Sequence, residues 1–156
     1  MFEYIGIRSF YRPRDIIQFC ISIQNSIRRF NKLSEESFLE GEKDYSLWFL
    51  SEITNEISPV IRDTETLFAM LRTLGGQPFS ITVFRKNYSR YESKLNLDSD
   101  ALLRYLYELG VIYNIDDNNR VFTSTRNYQS KLNPDMRIGL HAGFWKDLYT
   151  STYYGK

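Results

Sequence analysis

The chain has 156 residues, and its 20 basic and 19 acidic side chains nearly cancel, leaving no global field to draw it to nucleic acid or a membrane surface. Its one cysteine, Cys20, excludes an internal disulfide and fits a reducing cytoplasm. No secretory signal opens the chain and no apolar run is long enough to span a bilayer, so the expectation is a soluble cytoplasmic protein of one ordinary domain or two small ones.

Residues 2–10 read as an irregular, extended lead-in. Pro13 then suits the first turn of a helix, where a missing amide hydrogen is harmless, and Asp15 suits the positive end of the helix dipole. Apolar residues at Ile16, Ile17, Cys20, Ile23, Ile27 and Phe30 predict a helix buried on that face, with Cys20 packed inside. Arg12 and Arg14 sit where the dipole repels cations. They are therefore candidates for an anionic partner, the alternative being solvation or pairing with Asp15 and a nearby glutamate. Arg28, Arg29 and Lys32 read as ordinary C-terminal charges.

Ser37 with Glu40 forms a capping-box pattern that starts a second helix. Its predicted inner face is Phe38, Leu39, Tyr45, Trp48, Phe49, Ile53 and Ile57, widened by Leu47 and Leu50. Glu42, Lys43, Asp44, Glu52 and Glu56 fall mostly on the other side, and Ser58-Pro59 ends the helix. A short connection makes the two helices an antiparallel hairpin.

Beyond Pro59, Thr64 to Leu74 predicts a short helix stopped by Gly75-Gly76. Phe79-Ser80-Ile81 reads as a three-residue strand, and Val83 to Tyr91 as a helix. Asp98 or Ser99 caps another helix that buries Leu102, Leu103, Tyr105, Leu106 and Leu109 and ends at Gly110. Residues 111–115 and 120–124 flank the polar turn Asp116-Asp117-Asn118-Asn119 and predict a hairpin. After a polar loop over 127–135, residues 136–141 return to the sheet, Phe144 to Leu148 form a short helix, and the last residues fray. The expected fold class is mostly α with a small β-hairpin (α+β). A helical hairpin over 1–60 precedes a winged helix-turn-helix over 61–156, the order helix, strand, helix, helix, hairpin being that of the winged module.

For DNA reading, the last helix carries the wrong charges: it opens on Asp98, Ser99 and Asp100, and the wing tip is acidic too. The cations Arg85, Lys86, Arg90 and Lys94 lie on the preceding helix and are the candidates for phosphate contacts. A protein target is therefore preferred over DNA. His141 lies in an apolar run and reads as a core or corner residue. No phosphate-binding loop, nucleophile elbow or metal-ligand spacing is present, so the chain alone is not expected to be an enzyme.

Four stretches together carry a resemblance: residues 12–20 (Arg-Pro-Arg-Asp-Ile-Ile-Gln-Phe-Cys), 42–48, 106–112 and 140–145. The chain from about Arg8 onward resembles the region that follows the nucleotide-binding core in bacterial P-loop ATPases related to the STAND and AAA+ classes. There, an Arg-Pro-Arg-Asp-type motif opens a helical lid and a winged helix follows. The resemblance implies a sensor-2-like role toward ATP phosphates for Arg14 and, second, Arg12. It also implies ATP and Mg²⁺ as cofactors of the full-length relative, and a P-loop core in cis or in trans as partner. The alternatives are a stand-alone winged-helix DNA-binding protein and a homo-oligomerisation or effector-docking module.

Overall fold

The computed structural model describes residues 2–124 and 131–148. Part of the expected polar loop, 127–130, and the expected frayed end from 149 lie outside the described residues. The protein is mostly helical with a small three-stranded antiparallel sheet, an α+β fold.

The lead-in is not extended. Phe2–Arg8 forms helix α1, with Tyr4 and Ile5 packed against the core. The Tyr4 ring meets Phe38 at 5.7 Å and Phe19 at 6.4 Å. Seven residues are too few to be helical by propensity, so tertiary packing makes this helix, and sequence periodicity could not report it.

Helices α2 (Pro13–Phe30) and α3 (Glu35–Ile57) follow. Asn31, in the left-handed region at φ 53°, ends α2. The second helix starts earlier than the Ser37–Glu40 pattern indicated: Ser34 is the cap, and Ser34 and Ser37 exchange backbone-to-side-chain hydrogen bonds at 2.9 and 3.2 Å. The pairs Arg12–Glu56, Arg14–Glu52 and Arg29–Asp44 run in opposite directions along the two helices, the signature of an antiparallel hairpin. At Gly41 the helices touch so closely that a Cβ there would lie 2.8 Å from Cα of Ile23.

That contact seats Ile23 against α3, and the most deeply buried side of α2 is rotated from the expected apolar face. The buried residues are Asp15, Phe19, Ser22 and Ser26. Ile17 and Cys20 are exposed, and Ile16, Ile23, Ile27 and Phe30 are half-buried. A close helix–helix approach needs a small residue at the crossing, and Gly41 supplies it against Ile23 and the Ser22 carbonyl. On α3, Tyr45, Phe49, Ile53 and Ile57 are buried as expected, but so is Glu42, while Leu47 is exposed.

Helix α4 (Thr64–Thr73) is capped by Asp63 and buries Leu67, Phe68, Met70 and Leu71. Of the expected strand at 79–81 only Phe79 pairs, exchanging both backbone hydrogen bonds with Ile138 at 2.8 and 2.9 Å. Ser80 instead caps α5 (Ile81–Tyr88), its side chain accepting from the Val83 amide at 3.3 Å. A 3-10 turn at Glu92–Lys94 leads to α6 (Ser99–Glu108), whose cap Asp98 accepts from the amides of Asp100 and Ala101 at 2.9 and 2.8 Å. Gly110, at φ 76°, turns the chain into the sheet.

Strand β1 (Ile112–Ile115) is central, flanked by β2 (Val121–Phe122) and β3 (Arg137–Leu140). Asp116 knots the tight turn: its carboxylate accepts from the amides of Asn118 and Arg120 and pairs with the Arg120 side chain at 2.7 Å. Buried Asn114 clamps the returning segment, donating to the Asn133 carbonyl at 3.0 Å and accepting from its amide at 2.8 Å.

After β3, a 3-10 turn at Ala142–Phe144 and α7 (Trp145–Leu148) carry the chain back onto α3. There the Ser46 hydroxyl donates to the Gly143 carbonyl at 2.8 Å. The Phe144 ring, fully buried, lies 5.0 Å from that of Phe49 and 6.5 Å from that of Phe68. One connected hydrophobic core therefore runs from the helical hairpin into the α4–α6 module.

Candidate functional site

The sequence singles out Arg12-Pro13-Arg14-Asp15, and the fold gives this stretch specific surroundings. Arg12 is the extended residue before the first turn of α2, its carbonyl accepting from the Asp15 and Ile16 amides at 3.0 and 3.2 Å. Because α3 runs antiparallel beside it, the C-terminal half of α3 presents Glu52 and Glu56, one helical turn apart, to the two arginines. Arg14 Nη2 lies 2.8 Å from Glu52 Oε2, and Arg12 Nη1 lies 3.1 Å from Glu56 Oε1. Each guanidinium also lies over an aromatic ring, Arg12 at 4.9 Å from the Phe10 centroid and Arg14 at 5.7 Å from that of Trp48.

Beneath them Asp15 is buried, its Oδ1 3.7 Å from Arg14 Nε and its Oδ2 without a hydrogen-bond partner. Desolvation raises its pKa above the ordinary carboxylate value, and Arg12, Arg14 and the Phe10 backbone pull it back only in part. Two cations therefore face three carboxylates. The side chains of Arg14 and Arg12 remain 60% and 41% exposed, so both can exchange their partners without unfolding the helix.

His141 stands on the far side of Phe10, ring centroids 4.4 Å apart, and stacks on Phe49 at 5.3 Å. Its Nδ1 accepts from the Gly143 amide at 3.1 Å. Burial, with the Arg12 charge adding to it, lowers its pKa from 6.5 to about 3, so it is a neutral corner residue at physiological pH. Among the described residues no three His, Cys, Asp or Glu side chains come together to hold a metal ion.

The nucleic-acid candidates are scattered. Arg85, on α5, is held by Asp100 of α6 through bonds of 3.0 to 3.1 Å. Lys86, Arg90 and Lys94 are exposed along the end of α5 and the 3-10 turn, and the outer face of α6 mixes Asp100 and Glu108 with Arg104.

A second charged cluster was not legible in the sequence. Buried Glu42 accepts from the Arg8 guanidinium and from the Tyr4 hydroxyl at 2.7 Å, and its other oxygen lies 3.3 Å from Lys146 Nζ. Burial and the hydrogen bond to Glu42 push the Tyr4 pKa up to about 12. Helical spacing alone shows Glu52 and Glu56 only as outer-face charges; antiparallel register counted back from the helix connection sets them opposite Arg14 and Arg12.

Residues 1–54 match the family described as the FunZ-associated C-terminal helical domain. The matched segment comprises α1, α2 and most of α3, and so includes Arg12, Arg14 and Glu52. It marks this part of the chain as similar to a C-terminal helical domain of a larger protein. No curated protein and no solved structure matches the chain.

Proposed function

We propose that this chain is a non-catalytic C-terminal region that docks on a P-loop ATPase core, in cis or in trans, and couples nucleotide state to the binding of a protein target. The observation that carries the reading is the match of residues 1–54 to a C-terminal helical domain, over the segment that holds Arg12 and Arg14. In the isolated chain both arginines are occupied by α3 carboxylates. Docking against a core holding Mg²⁺-ATP would let Arg14 leave Glu52 for the terminal phosphates, where a guanidinium fork holds two oxygens and stabilises shifting charge. Glu52 and Glu56 then keep both side chains poised and neutralised until that exchange.

The test is to purify the tagged chain from its native cells and measure ATP turnover by the copurified assembly. The expected partner carries a phosphate-binding loop, and Arg14→Ala leaves the assembly intact while changing turnover. A partner without a nucleotide-binding core, or turnover unchanged in Arg14→Ala, overturns the reading.

The α4–α6 module favours a second reading. Phe79 pairs with β3, β3 with β1, and β1–β2 form a hairpin after the third helix, an order that supports a winged helix. Its target is proposed to be a protein, because Arg85 is neutralised by Asp100 and the outer face of α6 carries Asp100 and Glu108. Salt-dependent binding of duplex DNA, weakened by substituting Lys86, Arg90 and Lys94, would instead establish a DNA target.

A further inference from the structure

The last turn of α3 carries the partner of Arg12 and also touches α6. Glu56 pairs with Arg12 through its side chain, Oε1 to Nη1 at 3.1 Å, while its backbone carbonyl accepts from the Tyr105 hydroxyl at 3.3 Å. One residue thus meets the arginine site with one group and α6 with another. Its charge is felt on both sides. It opposes ionisation of Asp15 beneath the arginines and of Tyr105, in each case as a smaller effect than burial.

Asn96 fixes the same joint nearer the start of α6. Its side-chain amide donates to the Val60 carbonyl at 2.8 Å, and its side-chain oxygen accepts from the Arg62 amide at 3.4 Å. Asn96 stands two residues before the Asp98 cap of α6. The chain just past α3 is therefore held to the start of α6, and Tyr105, about two turns along α6, is held to the end of α3. Tyr105 is half-buried and packs against the core, so its ring and α6 move together.

We infer that Glu56 relays the pairing state of Arg12 to α6 through the Tyr105 hydroxyl. The two states differ by one ion pair, whose side chains are 41% and 33% exposed and so open to exchange. With Arg12 in place, the Glu56 carboxylate is neutralised and Tyr105 donates to the backbone carbonyl. With Arg12 withdrawn to an external anion, that carboxylate is left unpaired near the phenol. A charged acceptor binds a hydroxyl roughly twice as strongly as a neutral one, so the Tyr105 hydrogen bond shifts from carbonyl toward carboxylate and α6 follows. By linkage the effect is reciprocal: a target that grips α6 in the shifted position weakens the Arg12–Glu56 pair. The Arg14–Glu52 pair lies one turn farther from the Tyr105 contact, where Arg14 covers Trp48, and does not serve this route. As the carrier of coupling from the arginines to α6, the relay deepens the nucleotide reading, on which it rests only for the anion that withdraws Arg12.

The test is nuclear magnetic resonance of the full chain, isotopically labelled at the tyrosine Cζ, with the Tyr105 signal assigned by Tyr105→Phe. Arg12→Ala reproduces the withdrawn state without any ligand. The expected result is a shift of the Tyr105 signal and of the Arg104 and Glu108 backbone amides. The signal of Tyr88, whose hydroxyl donates to the Leu97 carbonyl, should stay in place. In a Glu56→Gln background the same Arg12→Ala should leave Tyr105 where it was, and Arg14→Ala alone should move it less than Arg12→Ala does. The relay is overturned by a Tyr105 signal that does not respond to Arg12→Ala, that responds as strongly in the Glu56→Gln background or to Arg14→Ala, or that moves together with Tyr88. An unmoved Tyr105 leaves the nucleotide reading standing, whereas unchanged ATP turnover in Arg14→Ala removes that reading and leaves the relay.

Discussion

Arg8 and Glu42 form an ion pair across 34 residues of sequence with side chains only 15% and 4% exposed, and Tyr4 and Lys146 converge on the same carboxylate. One buried acid thus ties α1, α3 and α7 together. Glu42→Ala leaves two cations and a phenol around an empty position, and breaking a buried pair from one side typically loses about 3–5 kcal/mol. Urea unfolding should show a loss of that order with the slope unchanged. A loss well under about 1 kcal/mol would mean that the cluster contributes no more than a surface pair does.

Arg14 and Glu52 are expected to behave differently. Their 2.8 Å contact is largely open to solvent, and exposed pairs couple by only about 0.2–1 kcal/mol. A double-mutant cycle on Arg14→Ala and Glu52→Ala should return a coupling in that range and a fold of nearly unchanged stability. Arg14→Ala is then a clean functional probe, because any large effect on an assembly's turnover cannot come from unfolding.

Gly41→Ala tests the helix crossing. In most helices alanine is better than glycine by about 1 kcal/mol, but here the new Cβ meets backbone, Cα of Ile23 at 2.8 Å and the Ser22 carbonyl at 3.0 Å. Backbone cannot swing away as a flexible side chain can, and overpacking losses run at about 1–3 kcal/mol. The thermal midpoint should fall, and a rise would show that α2 and α3 can part without loss.

His141 sets a pH dependence. Its folded pKa of about 3 lies below the unfolded value of 6.5, so the unfolded chain binds the proton first. Stability is full above pH 6.5 and is lost as pH falls through the window toward 3, at no more than about 1.4 kcal/mol per pH unit. Asp15 works the other way. Its folded value is raised, so its burial penalty is relieved as pH falls and the loss from His141 is partly offset. Chemical unfolding of His141→Gln between pH 7 and 4 should show a flatter dependence than the parent chain. An identical slope in the two proteins would remove His141 as its source.

Much of the fold was legible because local rules decide it. The cap at Asp98, the left-handed stop at Gly110, the turn knotted by Asp116 and the inward leucines of α6 each depend on a few neighbouring residues. So does the inward set Leu67, Phe68, Met70 and Leu71 of α4. The site was legible only in half: the arginines at 12 and 14 stood out as cations against a helix dipole, but their partners Glu52 and Glu56 lie about forty residues away.

By itself the sequence determined where α2 begins and ends and that it carries one strongly apolar stripe. Only the tertiary structure decided where that stripe points. Periodicity measures the contrast between two faces of a helix and is silent on which of them a neighbour needs. Here α3 approaches at Gly41, closely enough to bring that glycine against Ile23 and the Ser22 carbonyl. Asp15, Phe19 and the serines are therefore innermost, Ile16, Ile23 and Ile27 lie half-buried beside them, and Ile17 and Ile21 face out.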